Sequence, residues 1–146
     1  MEQRTEPDRE ISAGVKMTNL ETSSIGEKRV LVVEDEALIA LQLEMEIEDI
    51  GHKVAGTCMN LPECLRFIED AEIDGAILDV DLRGVDVFPA AEKLRQKNIP
   101  FVFHTGHGDK YQIEERFPRS TVFKKPTSTD IMLKKLFSFS PKAKEV

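Results

Sequence analysis

The chain changes texture at Arg29. Val30-Leu31-Val32-Val33 is an unbroken aliphatic run that stops at Glu34-Asp35-Glu36. A short run without polar alternation predicts a strand buried on both faces, as in a parallel sheet. Residues 37–50 are less simple, because Leu41, Leu43, Met45 and Ile47 alternate with Gln42, Glu44, Glu46 and Glu48 as a half-buried strand would. Their length, their Leu, Met, Glu and Gln content, the stripe Ile39, Leu43, Ile47, Ile50 and the stop at Gly51 predict a helix instead.

The cycle then repeats. Val54-Ala55-Gly56 predicts a second strand, and Asn60-Leu61-Pro62-Glu63 opens a helix to about Asp70 with a capping residue, a first-turn proline and an acid three positions on. Ala76-Ile77-Leu78 is a third strand ending at Asp79. A helix over 86–97 carries Phe88, Ala91 and Leu94 at helical spacing, and residues 99–103 form a fourth strand. A weakly amphipathic helix over 109–117 ends at Pro118. Val122-Phe123-Lys124 is a fifth strand, and residues 129–139 form a last helix with Met132, Leu133, Leu136, Phe137 and Phe139 toward the sheet. Strands alternating with helices in this way predict an α/β fold, a five-stranded parallel, doubly wound sheet of flavodoxin-like type with helices on both faces.

Length sets the domain count. The 146 residues suit one domain. Residues 1–27 carry six acids against three bases without helical or strand periodicity. They are expected to form a disordered acidic leader ahead of a domain over 28–139, with a tail at 140–146. No basic start followed by an apolar run marks a signal peptide, and no stretch has the length and apolarity of a membrane span. A net charge of −7 argues against nucleic acid or anionic lipid as partner. The two cysteines, Cys58 and Cys64, are too few for a disulfide framework, so they are expected to be small semi-buried fillers in a reduced, cytoplasmic protein.

In a doubly wound sheet, reactive groups gather beyond the carboxyl ends of the strands. Strand one ends in Glu34-Asp35, strand three in Asp79, strand four in Thr105-Gly106 and strand five in Lys125-Pro126. Carboxylates about 4 Å apart repel by about 4 kcal/mol at an effective dielectric of 20, so such a cluster calls for a proton or a cation. Mg2+ suits an all-oxygen site that also holds a phosphate oxygen. Lys125 and Thr105 would then take the other oxygens of a phosphoryl group.

The order and spacing of these residues resemble the receiver domain of two-component response regulators, across about residues 28–139. The motifs are Val32-Val33-Glu34-Asp35-Glu36, Leu78-Asp79-Val80-Asp81-Leu82-Arg83-Gly84, Phe103-His104-Thr105-Gly106 and Lys124-Lys125-Pro126. The resemblance implies that Asp79 accepts a phosphoryl group from a phosphohistidine on a histidine kinase or histidine phosphotransferase. It further implies that Glu34, Asp35, Asp79 and the backbone carbonyl of Asp81 hold Mg2+. Thr105 would bind the phosphoryl group, and Lys125 would pair with it ahead of a cis-proline bond at Pro126. In that family the positions of Asp81 and His107 tune the phosphoryl lifetime. The chain is expected to act as a non-enzymatic regulator standing alone, with its output delivered through a separate downstream protein or a phosphorelay.

Two departures bear on switching. Many receivers carry an aromatic residue three positions before the lysine, where this chain has Val122. The segment Phe103-His104-Thr105-Gly106 resembles a receiver subgroup with a Phe-Ala-Thr-Gly motif, His104 replacing the alanine, in which Gly106 and the following loop would do the switching.

Other chemistries compete. Asp79-Val80-Asp81 resembles the nucleophile and acid pair of haloacid dehalogenase-like phosphatases, although that pair follows a first strand and is trailed by a threonine where this chain has Arg83. A binding module independent of phosphorylation would not need Asp79, Thr105 and Lys125 together. Zinc at His104 and His107 lacks a third ligand of suitable spacing.

Overall fold

A computed structural model describes residues 26–106 and 110–138. Within them β1 (Arg29–Val33), β2 (Lys53–Cys58), β3 (Gly75–Leu78), β6 (Phe101–Thr105) and β7 (Val122–Lys124) form one parallel sheet in the order β2-β1-β3-β6-β7. The helices are α1 (Ala37–Ile50), α2 (Leu61–Asp70), α3 (Phe88–Gln96), α4 (Lys110–Arg116) and α5 (Thr129–Ser138). The expected α/β architecture is present.

Strand alternation explains the unbroken apolar runs. Leu31 and Val33 of β1 join Ala76, Leu78 and Phe103 in a core beneath α2, α3 and α4, through Ile68, Leu94 and Ile113. Val30, Val32, Ile77 and Val102 face the other way, against Leu43 and Ile47 of α1 and Met132 and Leu136 of α5. Both faces are covered, so a polar side chain without a partner is costly on these strands.

The same packing resolves the ambiguous α1. Ala40, Leu43 and Ile47 are buried and Ile39 and Ile50 are half-buried, whereas Leu38, Leu41 and Met45 point to solvent. Apolar residues on both sides of one helix produced the strand-like alternation. Gly51 ends α1 with φ of 111°, its N–H donating to Glu48 and that of His52 to Ile47. At the start of α2, the Asn60 side chain accepts from Glu63 N–H at 2.9 Å while Glu63 Oε1 accepts from Met59 N–H at 3.0 Å.

Three details differ from expectation. β2 extends over six residues, β6 starts at Phe101 rather than residue 99, and α3 begins at Phe88, its N–H taken by Asp86 Oδ1. The residues between are a small antiparallel hairpin, β4 (Asp81–Leu82) and β5 (Val85–Asp86), turned at Arg83 and Gly84 with φ of 57° and 89°. Two consecutive left-handed residues are what a two-residue hairpin turn requires, and Gly84 supplies one without strain. Cys58 and Cys64 are fully buried and unbridged, deeper than the semi-buried placement expected. Among the described residues no helix is long and apolar enough to cross a membrane.

Candidate functional site

Backbone bonds carry the sheet one residue past its strands. Glu34 N–H donates to Cys58 O at 3.0 Å, Asp79 N–H to Val33 O at 2.9 Å and Lys125 N–H to Thr105 O at 2.8 Å. The residues immediately after β1, β3 and β7 are thereby fixed on a rigid edge, so their side chains converge. Lys125 Nζ lies 3.0 Å from Glu34 Oε1 and 3.1 Å from Asp79 Oδ2. Oxygens of Glu34, Asp35 and Asp79 come within 4.8 Å of one another, the one metal-capable group of three among the described residues. A cleft of about 200 Å³ opens over them, with Asp35, Asp79, Asp81, Thr105, Gly106 and Lys125 on its walls. The Lys125–Pro126 peptide bond is cis.

Burial decides the charge state. Glu34 is 1% exposed and Asp79 6%. Burial lifts the Asp79 carboxyl to about 7, with the Glu34 charge adding to the rise and Lys125 opposing it. Burial alone would lower the Lys125 ammonium, yet its bonds to Glu34 and Asp79 outweigh that and hold it above its ordinary value. One lysine thus faces two acids, and the raised Asp79 carboxyl takes up a proton as pH falls through about 7. A divalent cation could replace that proton, since all the donors are hard oxygens.

All but one of the expected site residues can be placed. Glu34, Asp35, Asp79 and Lys125 are together, and Glu34 Oε2 also accepts from Glu36 N–H at 3.1 Å. Thr105 is buried on the cleft wall. The Asp81 carboxylate turns away to accept from Gly84 N–H at 2.6 Å, which leaves the backbone of Asp81 beside Asp79. At Gly106 the space a Cβ would occupy is open. His107 lies outside the described residues. His104, next to Thr105 on β6, points to the opposite face of the sheet, so it takes no part in the cleft.

Arg83 joins the site unforeseen. The β4–β5 turn aims it back at the first strand, where Arg83 Nε stands 3.3 Å from Asp35 Oδ2. The signal available in the sequence was Gly84, a turn residue between two short apolar positions, but neither strand is longer than two residues.

Three comparisons bear on this arrangement. Residues 30–136 match the family model described as the response regulator receiver domain. The phyllosphere-induced regulator PhyR of Methylorubrum extorquens is 29% identical over 102 residues, covering 66% of this chain and 38% of that protein. The transcriptional regulatory protein PdtaR of Mycobacterium tuberculosis is 31% identical over 88 residues, 60% of this chain and 43% of that protein. The chain therefore spans about two fifths of the length of these relatives. The solution structure of SdrG from Sphingomonas melonis Fr1 superposes with a TM-score of 0.65 at 40% identity, covering 75% of this chain and 92% of that one.

Proposed function

The chain belongs to the response regulator receiver domain family, and from that membership we propose that it accepts a phosphoryl group on Asp79 and signals by protein–protein interaction or phosphorelay. The observation that carries this is the convergence of Lys125 on Asp79 and Glu34 in an acidic cleft at the carboxyl edge of the sheet. The phosphatase reading has no support, because the family is a different one and Asp79 ends the third strand in chain order rather than the first.

In this reading an Asp79 oxygen attacks the phosphorus of a phosphohistidine on a histidine kinase or phosphotransferase. The P–N bond breaks, and the imidazole leaves with its electron pair. Asp79 must be ionised to attack, so the proton that burial favours has to go. Glu34, Asp35, Asp79 and the Asp81 carbonyl would hold Mg2+, which when bound would supply positive charge to favour the ionised Asp79 and to balance the phosphoryl oxygens. Lys125 keeps one oxygen in place, Thr105 binds another, and Asp81, Gly106 and His107 tune the lifetime of the acyl phosphate. The domain proper is residues 28–139, between an acidic leader and a short tail. The buried, unbridged cysteines support a reducing, cytoplasmic setting.

The test is incubation with Mg2+ and a small phosphoramidate or acyl phosphate, followed by intact mass. One added phosphoryl group, absent in Asp79→Asn, is the expected result. Undiminished labelling of Asp79→Asn would remove the assignment.

A further inference from the structure

Behind the sheet, on the face away from the acidic cleft, lies a second cavity of about 100 Å³ between α1, β6 and the start of α5. His104 forms part of its wall. The ring is 5% exposed, and neither Nδ1 nor Nε2 has a hydrogen-bond partner among the described residues. Burial, and then the Lys125 charge, hold His104 down to about 4, so at neutral pH the ring is uncharged and keeps one acceptor nitrogen and one N–H. An unpaired buried polar atom costs about 1–3 kcal/mol, which makes a polar guest favourable at this spot.

The rest of the wall specifies the guest. Several of its side-chain donors already serve the protein: Gln42 Nε2 donates to Glu46 Oε2 at 3.1 Å, the Thr129 hydroxyl to Glu46 Oε1, and the Thr127 hydroxyl to Lys124 O at 2.5 Å. The Lys125 ammonium is held on the far side by Glu34 and Asp79. What remains is mostly acceptor capacity, on the Glu46 carboxylate, the Gln42 carbonyl oxygen, the threonine hydroxyls and the His104 acceptor nitrogen, against one His104 N–H and the second Gln42 N–H. Glu46 is also the only wall residue whose charge has no opposite charge within an ion pair among the described residues. Ile39, Leu43 and Pro126 complete the lining with apolar surface. The guest must therefore bring N–H donors, a positive charge and a short aliphatic body. An engineered cavity of roughly 150 Å³ holds benzene, so about 100 Å³ takes a chain of about three or four carbons.

We propose that the His104–Glu46 cavity binds an alkylammonium group, its charge on Glu46, its N–H shared with His104 and its carbons against Ile39, Leu43 and Pro126. The same group occurs on free small amines and on the lysine side chain of a protein partner. A guest there touches Lys125–Pro126 from behind and sits one residue from Thr105, so occupancy would be felt at the acidic cleft.

The experiment is an amide NMR titration of the full chain with n-butylammonium, with a capped Gly-Lys-Gly peptide in a parallel arm and 1-butanol as the neutral isostere. Saturable shifts at Thr105, Thr127 and Thr129 are expected with at least one of the two ammonium probes and not with butanol. Response to butylammonium alone identifies a free amine, and response to the peptide identifies a lysine side chain; either supports the site. Glu46→Gln should weaken the response by about tenfold or more, the scale of a lost charge-assisted bond. His104→Leu, which keeps the cavity wall apolar, should weaken it also, and serves if Glu46→Gln does not fold. No saturable shift with either ammonium probe, or an equal response to butanol, overturns the proposal. Phosphorylation of Asp79 is measured on protein without either probe, so the two readings stand or fall separately.

Discussion

Lys125 reaches Asp79 across an intervening strand. Their side chains meet at 3.1 Å, although β3 and β7 do not pair and β6 lies between them. The contact depends on both residues standing one step beyond their strands, where the pleat and the twist of the sheet bring the ends together.

Removing this lysine leaves two buried acids without their cation. Lys125→Ala is expected to destabilise the fold by about 3 kcal/mol at pH 8 in the presence of a chelator, as breaking a buried ion pair does. Added Mg2+ should recover part of that loss. Urea denaturation with and without the metal checks both expectations, and a loss that Mg2+ does not touch would speak against a shared cation site.

The raised Asp79 carboxyl gives stability a pH slope whose sign is fixed. Its folded value is about 7, against about 4 for an exposed carboxyl, so between these values the folded chain holds a proton that the unfolded chain has lost. The contribution is fully present below pH 4, declines as pH rises toward 7 and is gone above it. Asp79→Asn removes the slope and, without metal, should exceed the parent in stability by about 2 kcal/mol at pH 8 and by much less at pH 5. Paired denaturation curves at the two pH values decide; a gap that widens toward pH 5 has the wrong sign.

Arg83 competes with a cation for Asp35. The arginine is mostly exposed, and pairs of that kind are worth about 0.2–1 kcal/mol. Arg83→Ala should therefore tighten Mg2+ binding by up to about fivefold, read by calorimetric titration. Unchanged or weaker binding would mean that the arginine helps the site instead.

Gly75 begins β3 where α5 crosses the sheet. A Cβ there would stand 2.8 Å from the Phe137 ring and 3.0 Å from Leu136 Cδ2, both buried. Gly75→Ala is expected to cost about 1–3 kcal/mol through overpacking, measured as a lower urea midpoint with an unchanged m-value.

Much of this was legible in the residues alone, for a physical reason. Val30 to Val33 are buried on two faces, and only a covered parallel strand tolerates that, so the sheet and its reactive edge followed together. Asp79, Thr105 and Lys125 stand out by position, at strand ends. The β4–β5 hairpin escaped because two-residue strands have no periodicity, and with it went Arg83. In the sequence His104 reads as one of a histidine pair; that its ring has no hydrogen-bond partner among the described residues depends on what α1 and α5 place around it, which no local pattern encodes. Leu38, Leu41 and Met45 misled in the opposite direction, being apolar and yet outside the core.

The depth of Glu34 has a consequence for noise. Mobile ions screen charges that face water, over about 8 Å at physiological ionic strength, but they cannot enter the space between Glu34 and Lys125. The balance of charge in the cleft should accordingly be nearly deaf to osmotic swings in the salt around it, while it stays open to the one ion or phosphoryl group that can reach Asp35 and Asp79 directly.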